Sequence, residues 1–241
     1  FLPVFIYSVY KYLYNHKLRY IPLMVFTFLL MELCHLGYAG MVAIAVIIYG
    51  IVYIIQKGRK KAVLDVVIST IFGFMLLGIW LVASLRGGIT SLDNSENMAN
   101  FFQNLWITIN PFERLTRGFE YFYFGFATLV VIVFGILFGY KKSRTGFVTG
   151  FIILLMTTKS AYAVLKHLPG SQYLWMLRFI SIALCMILMS FLMWDRLKKT
   201  LVLMLCVLLV VDTIPSLSLI VGEHNDISVQ ERMAARQDST L

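Results

Sequence analysis

The sequence is 241 residues long, 60% hydrophobic and 14% charged, with a mean hydropathy of +0.82, a balance outside the range of soluble domains that puts the chain in a bilayer. The formal net charge of +9 does not point to nucleic acid, because the cations fall in short clusters between apolar runs of spanning length, the distribution that orients a membrane protein. Cys34, Cys185 and Cys206 each lie inside an apolar run without CxxC-type spacing, which indicates neither a disulfide framework nor a zinc site; they read as small core residues.

Residues 1–14 form an apolar, aromatic run too short to cross ~30 Å of hydrocarbon at ~1.5 Å per residue. The run opens on Phe1 with no basic segment and cleavage site, so it reads as the end of a helix that begins in a longer protein rather than a signal peptide. Lys11, His16, Lys17 and Arg19 close it. From Tyr20 to Gln56 the chain is almost uninterrupted apolar sequence, broken only near Glu32–Gly40. This predicts two helices, 20–36 and 38–56, with one long span carrying a re-entrant piece as the alternative. After Lys57-Gly58-Arg59-Lys60-Lys61 comes a span near 63–85, whose Gly73 and Gly78 allow close helix contact.

The connection from Arg86 to Glu120 is polar but patterned. Asp93, Asn94 and Ser95 offer N-cap oxygens, and Met98, Phe101, Phe102, Leu105 and Trp106 then recur at the spacing of one apolar helical face, which predicts an interfacial helix over 95–108. Such a helix either seals the outer loop or lines an entrance for lipid chains. Asn110-Pro111-Phe112-Glu113 combines an N-cap, a proline at the first helical position and an acid at N3. The aromatics Tyr121–Phe126 mark the entry of a span ending near Tyr140. Further spans follow near 146–165, 172–194 and 200–221, and residues 222–241 read as an extracytoplasmic tail that starts a soluble domain. The expected fold is an all-α, polytopic transmembrane bundle of about eight helices, with residues 1–221 as its membrane domain.

Orientation follows from the loop charges. Lys11, Lys17 and Arg19; Lys57, Arg59, Lys60 and Lys61; Lys141, Lys142 and Arg144; and Arg196, Lys198 and Lys199 fall on alternate connections. The opposite side holds fewer cations over far more polar sequence, namely Arg86, Arg114, Arg117, Lys159, Lys166, Arg178, Arg232 and Arg236. The positive-inside rule puts the first set in the cytoplasm and the C-terminal tail outside a multi-pass cell-membrane protein. Glu32, His35, Lys159, Arg178 and Asp212 then lie toward the outer face. Each has an ordinary explanation, a snorkelling cation for Lys159 and Lys166 or a structural ion pair for Arg178 and Asp212. The alternative is a polar outer-face cavity, with His35 in its wall, in which Arg178 and Lys159 neutralise phosphate oxygens while the carboxylates Glu32 and Asp212 hold or activate an acceptor. Asp65, beside Lys57–Lys61, reads as a charge partner at a helix entry.

These features resemble the C-terminal half of the polytopic membrane family described as 6-pyruvoyl-tetrahydropterin synthase-related, close to YfhO-like proteins and the GT-C superfamily of lipid-linked sugar transferases. The resemblance rests on Leu33-Cys34-His35-Leu36-Gly37-Tyr38, Asn110-Pro111-Phe112 with Tyr123-Phe124-Gly125-Phe126, His167-Leu168-Pro169 with Leu174-Trp175-Met176-Leu177-Arg178-Phe179, and Val211-Asp212-Thr213-Ile214-Pro215-Ser216. Cys34 stands where the family usually has Thr, and Leu174 and Met176 replace Phe- and Pro-like positions. The family description does not transfer as an activity, because pterin synthase chemistry needs three histidines on zinc and His16, His35, His167 and His224 are scattered. The resemblance implies transfer of a sugar from a polyprenyl-phosphate donor at the outer face, with the catalytic acid in a loop preceding Phe1. It carries over Arg178 and Lys159, with His35 and Asp212, as parts of a donor-phosphate and acceptor site; Glu32 belongs to the outer-face cavity on the charge reading above, and the sequence indicates no metal or cofactor. An inert membrane scaffold for an outer domain is the second class; a transporter or flippase ranks lower, since no internal repeat is visible.

Overall fold

The computed structural model describes residues 1–78, 106, 109–112, 123–139, 142–167, 178–194, 199–215 and 217. Every regular element in them is a helix: α1 (Leu2–Asn15), α2 (Tyr20–Cys34), α3 (Leu36–Lys57), α4 (Lys60–Leu76), α5 (Phe126–Phe138), α6 (Arg144–Leu155), α7 (Lys159–Leu165), α8 (Phe179–Leu192) and α9 (Lys199–Asp212). The expected interfacial helix over 95–108, apart from Trp106, the turn at 168–177 and the tail 222–241 lie outside the described residues.

The apolar run 20–56 divides into α2 and α3 at His35, whose backbone is extended (φ −167°, ψ 100°); a single long span is not formed. Among the described residues, the 21-residue stretch Gly37–Lys57 is the helix long and apolar enough to cross a membrane alone, its most apolar 18 residues having a mean hydropathy of 2.3. Tyr20–Cys34, Phe126–Phe138, Arg144–Leu155, Phe179–Leu192 and Leu201–Asp212 are apolar but shorter, rising less than the ~30 Å of a hydrocarbon core. The expected span 146–165 is two helices. Thr157 and Thr158 donate their hydroxyls to the Leu154 and Leu155 carbonyls at 2.7 Å each, local bonds that compete with helix continuation.

Large apolar side chains cover the exterior as well as filling the core. On α4, Leu64, Ile68, Ile71, Phe72, Met75 and Leu76 form an exposed stripe, whereas Ser69, Thr70 and Gly73 lie on the buried face. On α3, Ile47, Ile51 and Ile55 are exposed while Tyr49 and Tyr53 are buried. Buried hydroxyls bond within their own helices: Ser8 to Phe5 O (2.7 Å), Thr70 to Val66 O (2.9 Å), Thr149 to Thr145 O (2.8 Å) and Ser190 to Met186 O (2.7 Å). An apolar exterior over internally satisfied polar groups is what a hydrocarbon solvent selects. The same apolar exterior corrects the reading of the cysteines as core residues: Cys34 and Cys206 are exposed and Cys185 is half-buried.

The chain forms two compact units, Phe1–Asn104 with Val131–Leu197 and Leu105–Val130 with Lys198–Leu241. In the first, α6 packs on α8 through small residues. Gly146 lies against Ser190, and a Cβ at Gly150 would stand 2.6 Å from Ile187 Cγ1 and 3.3 Å from the Ala183 carbonyl oxygen. Phe5 of α1 meets Phe28 of α2 with ring centroids 5.5 Å apart, and Gly73 of α4 comes close to Phe28. Gly78 has no such neighbour among the described residues. One end of this unit gathers basic segments: Tyr53 donates to Leu13 O (2.7 Å), Tyr14 to Lys142 O (3.0 Å), Thr145 to Gln56 Oε1 (2.6 Å) and Tyr12 to Asp65 Oδ2 (2.7 Å), and Arg59 meets His16 at 2.7 Å. Asp65 thus takes the Tyr12 hydroxyl rather than serving simply as partner to Lys57–Lys61.

In the second unit, Asn110 Oδ1 accepts the Phe112 N–H at 3.0 Å, the cap expected before Pro111. Exposed Leu203, Met204, Val207, Val210 and Val211 give α9 an apolar surface.

Candidate functional site

The end of the first unit opposite its basic segments holds a polar junction. It forms because α2 stops at His35 and α3 restarts at once, leaving the imidazole at the break. His35 Nδ1 faces the Tyr38 amide at 3.2 Å, while that N–H also reaches the His35 carbonyl at 3.1 Å. Across from the break, Arg178 is the N-cap residue of α8, and its Nη1 hydrogen-bonds His35 Nε2. A neutral imidazole has one acceptor nitrogen. Accepting from the guanidinium at Nε2 needs the ring proton on Nδ1, whereas accepting the Tyr38 N–H at Nδ1, the N-cap of α3, needs it on Nε2, so the two contacts draw on alternative tautomers of one ring.

A second pair of side chains fastens the same helices. Ser181 donates to the Arg178 carbonyl at 2.8 Å, so the 3.0 Å contact between the Tyr38 and Ser181 hydroxyls has Tyr38 as donor. Sequence reasoning missed Tyr38 and Ser181. Their signal was positional, since each lies three residues beyond its partner, His35 and Arg178 respectively, where a helix presents neighbouring side chains. The result is a half-buried guanidinium at the positive end of a helix beside an exposed imidazole, a combination suited to an anionic oxygen.

Glu32 lies on α2 just before the break. It is 1% exposed, and neither carboxylate oxygen has a hydrogen-bond partner among the described residues. A carboxyl group so placed needs a proton or an added cation to offset its desolvation. Lys159 begins α7, and its side chain lies outside the described residues; Lys166 is exposed.

Asp212, in the second unit, has a structural setting of its own. Oδ1 accepts the Tyr123 hydroxyl at 2.5 Å and Oδ2 accepts the Ala127 N–H at 2.8 Å, capping an otherwise unsatisfied donor in the first turn of α5. Gly125 has φ +89° and passes so close to the carboxylate that a Cβ would overlap Oδ2. The junction thus joins His35 and Arg178, with Glu32 on the adjoining helix, whereas Asp212 organises a helix start. Among the described residues no three His, Cys, Asp or Glu side chains gather as metal ligands.

No curated protein and no solved structure matches the chain. The family model described as the 6-pyruvoyl-tetrahydropterin synthase related domain, a membrane protein family, matches residues 1–220. With nearly the whole sequence matched and its helices apolar on the outside, the chain belongs to this family of membrane proteins.

Proposed function

We propose that this chain is the membrane part of a GT-C/YfhO-like protein that transfers a sugar from a polyprenyl-phosphate donor to an acceptor at the outer face of the cell membrane, in envelope biosynthesis. The observation that supports this reading is the His35–Arg178 contact, which holds a permanent cation at the helix ends remote from the basic segments. In the multi-pass orientation that the positive-inside rule favours, the junction faces outward and the tail 222–241 is extracytoplasmic. Arg178, with Lys159, neutralises the donor phosphate; His35 and Glu32 contribute the polar wall. The test is transfer of labelled sugar from the polyprenyl-phosphate donor into membrane glycan by the full-length protein. Arg178→Ala should abolish transfer with insertion and folding intact, and Arg178→Lys should retain a fraction. Transfer at the normal rate by Arg178→Ala excludes the donor-site assignment.

A non-catalytic scaffold for an outer domain is the second reading. Asp212 favours it, because both carboxylate oxygens already serve the start of α5. On that reading Arg178→Ala lowers thermal stability and no glycan product depends on it.

A further inference from the structure

At the basic end of the first unit, a cleft of about 340 Å³ opens between the last turns of α1 and α8 and the segment leading into α6. One wall carries Lys11, Asn15 and Lys142, the other Met189, Leu192 and Met193. The lining contains no aspartate or glutamate among the described residues. Its floor is fixed: the Tyr10 and Tyr14 rings pack at a tilt of 42° with centroids 4.5 Å apart, and Tyr14 donates to the Lys142 carbonyl at 3.0 Å, tying α1 to the start of α6. Lys11 Nζ stands 5.3 Å from the Tyr7 ring centre, so the ammonium is held beside the opening.

We propose that this cleft binds a phosphate group, supplied by the headgroup of an anionic membrane phospholipid, with Lys11 and Lys142 contacting its oxygens and the methionine wall receiving the first methylenes of the acyl chains. Three features carry the inference together. Two lysines line the cleft with no carboxylate among its described lining residues, a balance of charge that attracts an anion. A half-apolar, half-cationic lining matches the chemical boundary between headgroup and hydrocarbon. The volume lies at the low end of ligand-sized sites, large enough for a glycerophosphate group and too small for a whole lipid. The lysines are borne on two elements, so the site distinguishes a bound anion from the general attraction of a polybasic end for an anionic surface.

The test uses the full chain in detergent with three probes: phosphatidylglycerol, phosphatidylcholine and inorganic phosphate. Retained ligand is read by native mass spectrometry and stabilisation by thermal unfolding. Phosphatidylglycerol should be retained at one equivalent and raise the unfolding temperature, and the double variant Lys11→Ala/Lys142→Ala should bind it about tenfold more weakly or worse. The control Lys60→Ala/Lys61→Ala removes the same charge from exposed positions at the same end and should bind as the parent does. Equal loss in both double variants, or equal retention of phosphatidylcholine, overturns the proposal. Stabilisation by inorganic phosphate alone, without lipid retention, keeps the phosphate contact but overturns the lipid as its source. Should the double variant fail to fold, Lys142→Gln alone gives the same comparison.

Discussion

Asp212 Oδ2 accepts the backbone N–H of Ala127 at 2.8 Å, across 85 residues of sequence, and its other oxygen takes the Tyr123 hydroxyl. A single carboxylate thereby fixes the start of α5 and the chain leading to it. Removing it exposes an unpaired amide and hydroxyl at once. Loss of a cap is worth ~1 kcal/mol and a hydrogen bond to a charged group ~1.5–3 kcal/mol. Asp212→Ala should therefore lower stability by roughly 2–3 kcal/mol, and Asp212→Asn, which keeps one acceptor, by less. Thermal unfolding in detergent measures both. An Asp212→Asn protein with unchanged stability but no activity would mean that the carboxylate serves chemistry instead.

Gly125 makes that cap reachable. At φ +89° a side chain is strained, and a Cβ would displace the Asp212 carboxylate. Gly125→Ala should cost about 1–3 kcal/mol. Because part of that loss is displacement of Asp212, the Gly125→Ala/Asp212→Ala double variant should be less destabilised than the sum of the two single ones. A strictly additive cycle would show that the two residues act independently.

The contact between α6 and α8 yields a contrasting pair of glycine substitutions. Gly146 and Gly150 are four residues apart and face Ser190, Ile187 and the Ala183 carbonyl, the small-residue spacing that lets helix backbones approach. Gly150→Leu should destabilise by about 1–3 kcal/mol through overpacking. Gly40, inside α3 with nothing within 4 Å of a built Cβ, should accept alanine and gain ~0.5–1 kcal/mol. Equal effects at the two sites would mean that helix propensity, not packing, decides both.

How much of this was legible depends on what kind of signal each feature leaves. The helices followed from hydropathy, and the break at His35 from the polar interruption in a long apolar run. Asn110 as a cap before Pro111 was readable because capping is local. The Gly146–Gly150 spacing was present in the sequence and was passed over in favour of Gly73 and Gly78, of which only Gly73 makes a close contact. The partners of Asp212 and Asp65 were not readable, since a hydroxyl 89 or 53 residues away leaves no periodic trace. Charge proximity along the chain pointed from Asp65 to Lys57–Lys61 and gave no sign of the Tyr12 hydroxyl that its Oδ2 accepts. The exposed cysteines show a different failure: in a bilayer an apolar position says only that water is absent, not that protein is near.

The Tyr12–Asp65 bond permits a direct test of that last distinction between sequence neighbours and spatial ones. Tyr12 is buried on α1 and gives its hydroxyl to Asp65 Oδ2 at 2.7 Å, while Lys60 and Lys61 are exposed. A hydrogen bond to a charged acceptor contributes ~1.5–3 kcal/mol in a protein interior, but side-chain bonds between membrane helices average nearer ~0.6 kcal/mol. Asp65 is half-buried at a helix end, so its carboxylate keeps some solvation when the phenol is removed, and the smaller figure should govern. A cycle of Tyr12→Phe and Asp65→Asn, read by thermal or denaturant unfolding, should give a coupling of about 0.5–1.5 kcal/mol. The matching cycle of Asp65→Asn with Lys61→Ala should give a coupling within ~0.5 kcal/mol of zero. If the lysine cycle shows the larger coupling, Asp65 is a charge partner of its sequence neighbours, and the bond to α1 is incidental to the stability of that end.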